Sequence, residues 1–319
     1  MARARSTGKF IPYDLRPAKQ SERGILIDLL KIGGECGLPI RDYRYIGMGA
    51  NRFYDFLMLH KYLGLKNMVS LEHDSDMFKR AKYNVPYNFI EVRNTTVAQF
   101  LADDISNAKD IFWLDYDGGI GPHISADIAS MAVRLKPGDF CFVTLFGGPG
   151  GRLQKMNDAD RLTTLSDTLH QLAGDVKLED VQNANFPCAI HKILMAAFRN
   201  AFAARTDGKF VPLLQVEYSD SQPMVTVGGV LLAQEVASTY RVKLKRALPF
   251  LNTTNTELYE IRSLCLTEKE RNLFDRAVTA RRKRSAERNK LTTFGFKDEE
   301  FDAYKELLRY LPRYVETFI

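Results

Sequence analysis

The chain of 319 residues is long enough for one large domain with additions, or for two domains. Its hydrophobic content of 45% is ordinary for a globular protein, and no apolar run has the length that a membrane-spanning helix requires, so no membrane association is expected. The net charge of +6 permits an anionic partner without requiring one.

Four cysteines, Cys36, Cys141, Cys188 and Cys265, are scattered along the chain without a CxxC pair. This pattern is typical of free thiols in a reducing compartment. The basic start of the chain lacks the apolar stretch of a secretory signal. We therefore expect a cytoplasmic protein.

Residues 1–40 are interpreted as a basic arm followed by a covering helix. Apolar residues recur there at helical spacing, with a predicted start near Ser21 and an end at the glycine pair that begins with Gly33. Basic residues lie before and inside this helix: Arg16, Lys19 and Arg23. They could reach over a ligand cleft, but surface charges on a covering helix are the favoured interpretation.

The segment from Arg44 to Asp74 predicts strand, glycine turn, helix and strand. The turn contains Gly47 and Gly49, which let a ligand approach the backbone closely, and the following helix offers unpaired N–H groups. Glu72 ends the second strand about twenty residues further on, where an acid can accept hydrogen bonds from a ribose diol. This order is the first half of a doubly wound sheet that binds a nucleoside-containing cofactor.

Three further apolar runs, at 88–92, 110–114 and 140–145, alternate with helical patterns. Five such units predict a parallel sheet with right-handed crossovers. Two strands around the turn Ser219-Asp220-Ser221 predict an antiparallel hairpin at the far edge of this sheet. The fold class is therefore α/β, with the sheet domain at 41–235 and a helical, basic region at 236–319.

Acidic residues follow the run at 110–114, which is apolar enough to be buried on both faces. Asp115 comes directly after this strand, so its ionised side chain needs a partner. Asp117 follows two residues later, where it could orient or deprotonate a nucleophile or could simply form the turn before Gly118.

Taken together, the motifs resemble those of the class I S-adenosylmethionine-dependent methyltransferases over about residues 41–233. The resemblance is carried in order by YIGMGAN, LEHD, VRNTTVAQFL, IFWLDYDGG and RLKPGDFCFVT. It implies S-adenosylmethionine as the cofactor, with Gly47, Gly49 and Glu72 in contact with it. It also implies that Thr96 lies near the adenine and Asp115 near the methionine end.

The sequence departs from the family pattern at several points. Tyr45 stands where many members carry an acid, and Asn51 replaces the third glycine, where it can still adopt a left-handed backbone. The fourth motif, DYDGG, differs from the DPPY or NPPF of amino-group methyltransferases, which argues against N-methylation of a base. It resembles the Asp-x-Asp of metal-dependent O-methyltransferases, but no matching Asp-Asn pair follows the fifth strand, so no metal is expected. It also bears a faint likeness to the fourth motif of tRNA guanine methyltransferases.

One dense basic run lies in the C-terminal region, formed by Arg281, Arg282, Lys283 and Arg284. Such a run can follow a phosphate backbone. A solvated helix face and a surface for a protein partner are the alternatives.

The sequence thus predicts a methyltransferase that acts on a nucleic acid, with RNA favoured, or on another anionic substrate, with Asp115 and Asp117 as catalytic residues. One alternative is a binding or partner subunit that keeps the fold but has lost turnover. A nicotinamide-linked oxidoreductase shares the glycine turn and the strand-end acid, but hydride transfer explains neither the terminal hairpin nor DYDGG.

Overall fold

The computed structural model describes residues 16–104, 106–251, 257–280 and 285–313. Its strands are β1 (Arg44–Gly47), β2 (Asn67–Glu72), β3 (Ile90–Asn94), β4 (Asp110–Asp115), β5 (Phe140–Phe146), β6 (Lys209–Ser219), β7 (Pro223–Leu232) and β8 (Tyr259–Ile261). They form one sheet in the order β3-β2-β1-β4-β5-β7-β6-β8.

Strands β1 to β5 pair in parallel, and β7 pairs antiparallel with both β5 and β6. The predicted doubly wound α/β sheet with an antiparallel end is therefore confirmed. The short strand β8 adds to β6 in parallel, although it lies inside the segment 236–319 that the sequence pattern describes as helical. A run of three residues is too short for a periodicity to be recognised.

Helices cover both faces of the sheet. They are α1 (Pro17–Glu35), α2 (Tyr54–Leu63), α3 (Ser75–Asn84), α4 (Val97–Asp103), α5 (Pro122–Arg134), α6 (Asp158–Leu169), α7 (Phe186–Phe202), α8 (Gln234–Ala247), α9 (Glu268–Thr279), α10 (Ala286–Thr293) and α11 (Asp298–Leu307). One hydrophobic core joins α1, α2 and α8 to the sheet, and a second joins α4, α5 and α7 to its other face. Strand β4 is buried by both cores, as its apolar sequence predicts.

A third, smaller core holds the C-terminal helices together around Phe274. A capping box of Thr267 and Glu270 begins α9, with the Glu270 N–H donating to the Thr267 hydroxyl at 3.3 Å. The last helix, α11, ends at Leu307.

Helix α1 begins at Pro17, one turn before the predicted start at Ser21. Its first N–H groups are satisfied by Asp220, which lies in the turn between β6 and β7. The two oxygens of this carboxylate accept from the N–H groups of Ala18 at 2.8 Å and Lys19 at 3.0 Å. The capping residue comes from a distant part of the chain, so local sequence does not show where the helix starts.

Candidate active site

The predicted cofactor residues meet at the carboxyl edge of the parallel sheet. Gly47, the last residue of β1, lies between Ser70 of β2 and Trp113 of β4 in the strand register. Glu72 and Asp115 end the strands on either side of β1. Ligands of open parallel sheets bind at this edge, where the strand order reverses. The structure therefore brings these predicted residues to one cleft.

The glycine turn after β1 is held from below by neighbouring side chains. The Gly49 N–H donates to the Ser70 hydroxyl at 3.0 Å. A Cβ at Gly49 would lie 2.6 Å from the ring of Phe53, and a Cβ at Gly47 would overlap the Tyr45 hydroxyl. The left-handed residues of this turn are Ala50 (φ 46°) and Phe53 (φ 53°). Asn51, which can tolerate that conformation, does not adopt it here.

Glu72 is half-buried at the tip of β2. One of its carboxylate oxygens accepts from the Asp74 N–H at 3.1 Å, and the Glu72 carbonyl accepts from the Asn94 side-chain amide at 2.8 Å. Burial raises the pKa of Glu72 above its ordinary value, and the negative charges of Asp74 and Asp117 act in the same direction. A carboxylate in this setting gains by accepting hydroxyl hydrogen bonds, as a ribose diol would supply.

Thr96 caps helix α4. Its hydroxyl accepts from the Gln99 N–H at 3.2 Å, and the Gln99 side chain accepts from the Thr96 N–H at 3.3 Å. The described contacts of Thr96 are those of a capping box, and its contact with an adenine stays a prediction.

Asp115 is paired with a lysine of the N-terminal helix. The Lys19 ammonium lies 2.9 Å from an Asp115 oxygen and 2.8 Å from an oxygen of Glu22, and it stands 4.6 Å from the ring centre of Trp113. Lys19 and Glu22 are fully buried, whereas the Asp115 side chain keeps 21% of its surface exposed. Despite the burial, the two carboxylates raise the pKa of Lys19 well above its ordinary value, so it is an ammonium.

A second buried pair joins Arg23 of the same helix to Asp55, in the first turn of α2. The interpretation of Lys19 and Arg23 as surface charges is therefore wrong. Arg16 is also covered, and its guanidinium lies 3.7 Å from Asp220. Helical periodicity alone could not reveal that these charges are buried. A charged side chain can point into the protein only where it finds a partner, and here the partners come from distant parts of the chain.

Glu22 ends a chain of hydrogen bonds that crosses the sheet. The Trp113 indole N–H donates to the Thr144 hydroxyl at 2.9 Å, and the Thr144 and Thr226 hydroxyl oxygens are 2.7 Å apart. The Thr226 hydroxyl donates to Glu22. An indole can only donate, so every donor finds an acceptor when Glu22 is a carboxylate. The signal for this network in the sequence is the pair of threonines within otherwise apolar strands.

Tyr45 occupies the position where many methyltransferases carry an acid. Its side chain is fully buried and packs edge-on against Phe56, with ring centres 4.8 Å apart. Its hydroxyl lies beneath Gly47. The carboxylates of this site are therefore supplied by Asp115, Glu22 and Asp55 instead of a residue of β1.

Asp117 is exposed on the loop that follows β4. The loop is fixed at three points, since the Tyr116 N–H donates to the Thr144 carbonyl at 3.0 Å, the Phe146 N–H donates to the Gly118 carbonyl at 3.1 Å and the Tyr116 hydroxyl donates to Asp127 at 2.7 Å. The negative charge of Asp117 contributes to the raised pKa of Glu72, so the two carboxylates lie within electrostatic range of each other.

Other expectations from the sequence concern the basic run, a metal site and a membrane span. The run Arg281, Arg282, Lys283 and Arg284 falls outside the described residues. Within the described ranges, no group of three or more His, Cys, Asp and Glu side chains is arranged to hold a metal ion. No helix in those ranges has the length and apolarity needed to cross a membrane.

The strand order, the glycine turn and the acids at the strand tips define a class I S-adenosylmethionine-dependent methyltransferase. A sequence model of one protein family, described as "Putative O-methyltransferase", matches residues 11–319, and the chain belongs to that family. Its cofactor is S-adenosylmethionine. No curated protein sequence matches the chain.

Solved methyltransferase structures resemble the fold at low identity. The N-methyltransferase NodS from Bradyrhizobium japonicum WM9 is 11% identical, with a TM-score of 0.39 over 69% of this chain and 99% of that one. An O-methyltransferase from Bacillus cereus in complex with SAH is 14% identical, with a TM-score of 0.41 over 70% and 86%. The amino pentose methyltransferase CalS10 from Micromonospora echinaspora is 12% identical, with a TM-score of 0.30 over 43% and 52%.

The residues at the carboxyl edge fit this cofactor. Gly47 and Gly49 present no side chain at two positions of the turn, and the half-buried Glu72 suits a ribose diol. Asp115 presents a partly exposed carboxylate at the adjacent strand end, where the cationic methionine end would lie. Each feature belongs to a different strand, so the sheet itself sets their spacing.

Proposed function

We propose that this protein transfers the methyl group of S-adenosylmethionine to an oxygen nucleophile of an anionic substrate, with a nucleic acid, and RNA in particular, as the favoured class. The description of its family supports an oxygen acceptor. The net charge of +6 and the run from Arg281 to Arg284 support an anionic substrate.

The observation that carries the proposal is the different setting of two neighbouring aspartates, Asp115 at the end of β4 and Asp117 in the loop that follows. Asp115 is fixed by the buried Lys19, whereas Asp117 is exposed two residues later and lies within electrostatic range of Glu72. When bound, the cofactor supplies an electrophilic methyl group. Asp115 would then orient the methionine end, and Asp117 would accept the proton from the acceptor hydroxyl. Neither carboxylate needs a metal ion for its role.

Described residues of the C-terminal region offer further basic groups. Arg241, Lys245 and Arg246 are exposed along α8. By contrast, Arg288 lies 2.7 Å from Asp298, and Arg313 pairs with Asp275. We take these exposed groups on α8, together with the run from Arg281 to Arg284, as the candidates for contact with a phosphate backbone.

Calorimetric titration of the purified protein tests the cofactor. S-adenosylmethionine and S-adenosylhomocysteine should bind, and NAD should not. Transfer of a labelled methyl group to RNA, DNA and small anionic hydroxyl compounds then tests the acceptor class. Replacing all four residues from Arg281 to Arg284 by Gln should flatten the salt dependence of RNA binding. An unchanged slope would remove this run from the interface.

A second candidate function, a partner subunit without turnover, is favoured by Tyr45. This residue fills the place of a family acid with a buried aromatic ring. Cofactor binding without methyl transfer to any substrate class, together with capture of a protein partner, would support it. For either function we propose a cytoplasmic location, in keeping with four cysteines that are all free thiols.

A further inference from the structure

The site next to Asp115 carries an unbalanced set of buried charges. Lys19 contributes one positive charge, and Glu22 and Asp115 contribute two negative charges within 2.9 Å of it. The neighbouring pair of Arg23 and Asp55 is balanced. The set therefore has a net charge of −1 when both carboxylates are ionised.

Burial raises the pKa of Glu22, but two contacts oppose that effect and favour its carboxylate form. One of its oxygens faces the Lys19 ammonium at 2.8 Å, and the other accepts from the Thr226 hydroxyl. Both neighbours are donors, and the chain from Trp113 through Thr144 and Thr226 has a complete set of acceptors only with a carboxylate at its end. Lys19 is therefore shared between two carboxylates and cannot neutralise both.

We propose that Glu22 sets the charge of this site, so that the site favours the sulfonium-bearing methyl donor over the neutral thioether product. The inference rests on the proposed function and deepens it. The methionine end of the donor carries a sulfonium, an ammonium and a carboxylate, whereas the product lacks the sulfonium charge. Because the two ligands differ by one methyl group and one positive charge, a fixed negative charge in a poorly hydrated site discriminates between them. Release of the product after transfer follows from the same charge difference.

The test is the ratio of the two dissociation constants, product over donor, measured by calorimetry. Glu22→Gln keeps the size of the side chain and removes its charge. It should lower the ratio by about threefold to tenfold, as expected for one unit charge at short range in a partly screened site. Glu35→Gln is the matched control, because it makes the same change at the other end of helix α1, where the side chain is exposed. It should leave the ratio unchanged.

The outcomes separate the inference from the function on which it rests. If the wild-type protein binds neither ligand, the proposed function itself fails. If it binds both but Glu22→Gln leaves the ratio unchanged, or Glu35→Gln moves it equally, the charge role of Glu22 is wrong. If Glu22→Gln does not fold, the wild-type protein provides the test through sinefungin, in which a protonated amine replaces the methylsulfonium group. Sinefungin should then bind more tightly than the neutral product, and equal or weaker binding would overturn the inference.

Discussion

The Lys19 ammonium lies 2.9 Å from the carboxylate of Asp115, although one residue belongs to the N-terminal helix and the other to the fourth strand. Lys19 is fully buried, so this contact fixes helix α1 over the carboxyl edge of the sheet. The helix is therefore part of the site wall.

Replacing Lys19 with methionine should destabilise the protein. The change leaves the buried Glu22 and the partly exposed Asp115 without their shared cation, and loss of one partner of a buried pair typically costs about 3 kcal/mol or more. Urea denaturation measures the loss. Lys31→Met is the matched control on the same helix, because its ammonium is half exposed and pairs with Asp28 at 3.4 Å. The control should cost less than about 0.5 kcal/mol. Equal losses of stability for the two variants would contradict the importance of the contacts that Lys19 makes with Glu22 and Asp115.

Replacing Asp220 with alanine should weaken both folding and cofactor binding. The change removes the acceptors of two N–H groups at the start of α1, and loss of a helix cap costs about 1 kcal/mol. Affinity should fall as well, because α1 holds Lys19 against Asp115. Asn157→Ala removes the cap of α6 and gives a matched loss of stability, with the affinity unchanged. Calorimetry with S-adenosylmethionine distinguishes the two variants. The link between α1 and the cofactor is wrong if both bind it as the wild type does.

Replacing Glu72 with alanine should weaken cofactor binding by about 1–3 kcal/mol, the range of a charge-assisted hydrogen bond to a ribose hydroxyl. Glu91→Ala is the control, because Glu91 is an exposed acid of the neighbouring strand and pairs with Arg93 at 2.8 Å. The affinity of the Glu91→Ala variant for S-adenosylmethionine should match that of the wild type. The assignment of Glu72 to the ribose would not survive an unchanged affinity in Glu72→Ala.

His191 should make the protein less stable in acid. Burial lowers the pKa of His191 below the ordinary histidine value, and the charge of Lys192 adds to this effect, while the hydrogen bond to Gln215 opposes it. The unfolded chain then binds the proton more tightly than the folded one. The stabilising contribution of neutral His191 is therefore complete above about pH 6.5 and is lost as the pH falls below that value.

Denaturation of the wild type and His191→Gln across this range measures the effect. The loss of stability on acidification should be smaller in the variant, by up to about 1 kcal/mol per pH unit. His170→Gln replaces an exposed histidine and should follow the wild type. Parallel curves for the wild type and His191→Gln would show that His191 does not titrate with folding.

The sequence by itself determined the sheet and the places where its strands end. Apolar runs of strand length alternate with helical patterns, and this local order allows only a parallel sheet with a hairpin at its edge. Glycines and acids at strand ends could be assigned to the cleft for the same reason, since the carboxyl ends of parallel strands meet at one edge. Gly47, Glu72 and Asp115 were predictable in this way.

Only the tertiary structure decided which buried groups contact those residues. Lys19 and Glu22 have the spacing of exposed helix charges. They form a buried network because the folded chain brings Asp115 into contact with Lys19 and Thr226 into contact with Glu22. The start of α1 likewise depends on Asp220, from a turn near the other end of the sheet domain. A charge is buried only where distant groups compensate its lost hydration, and such pairings leave no local trace in a sequence.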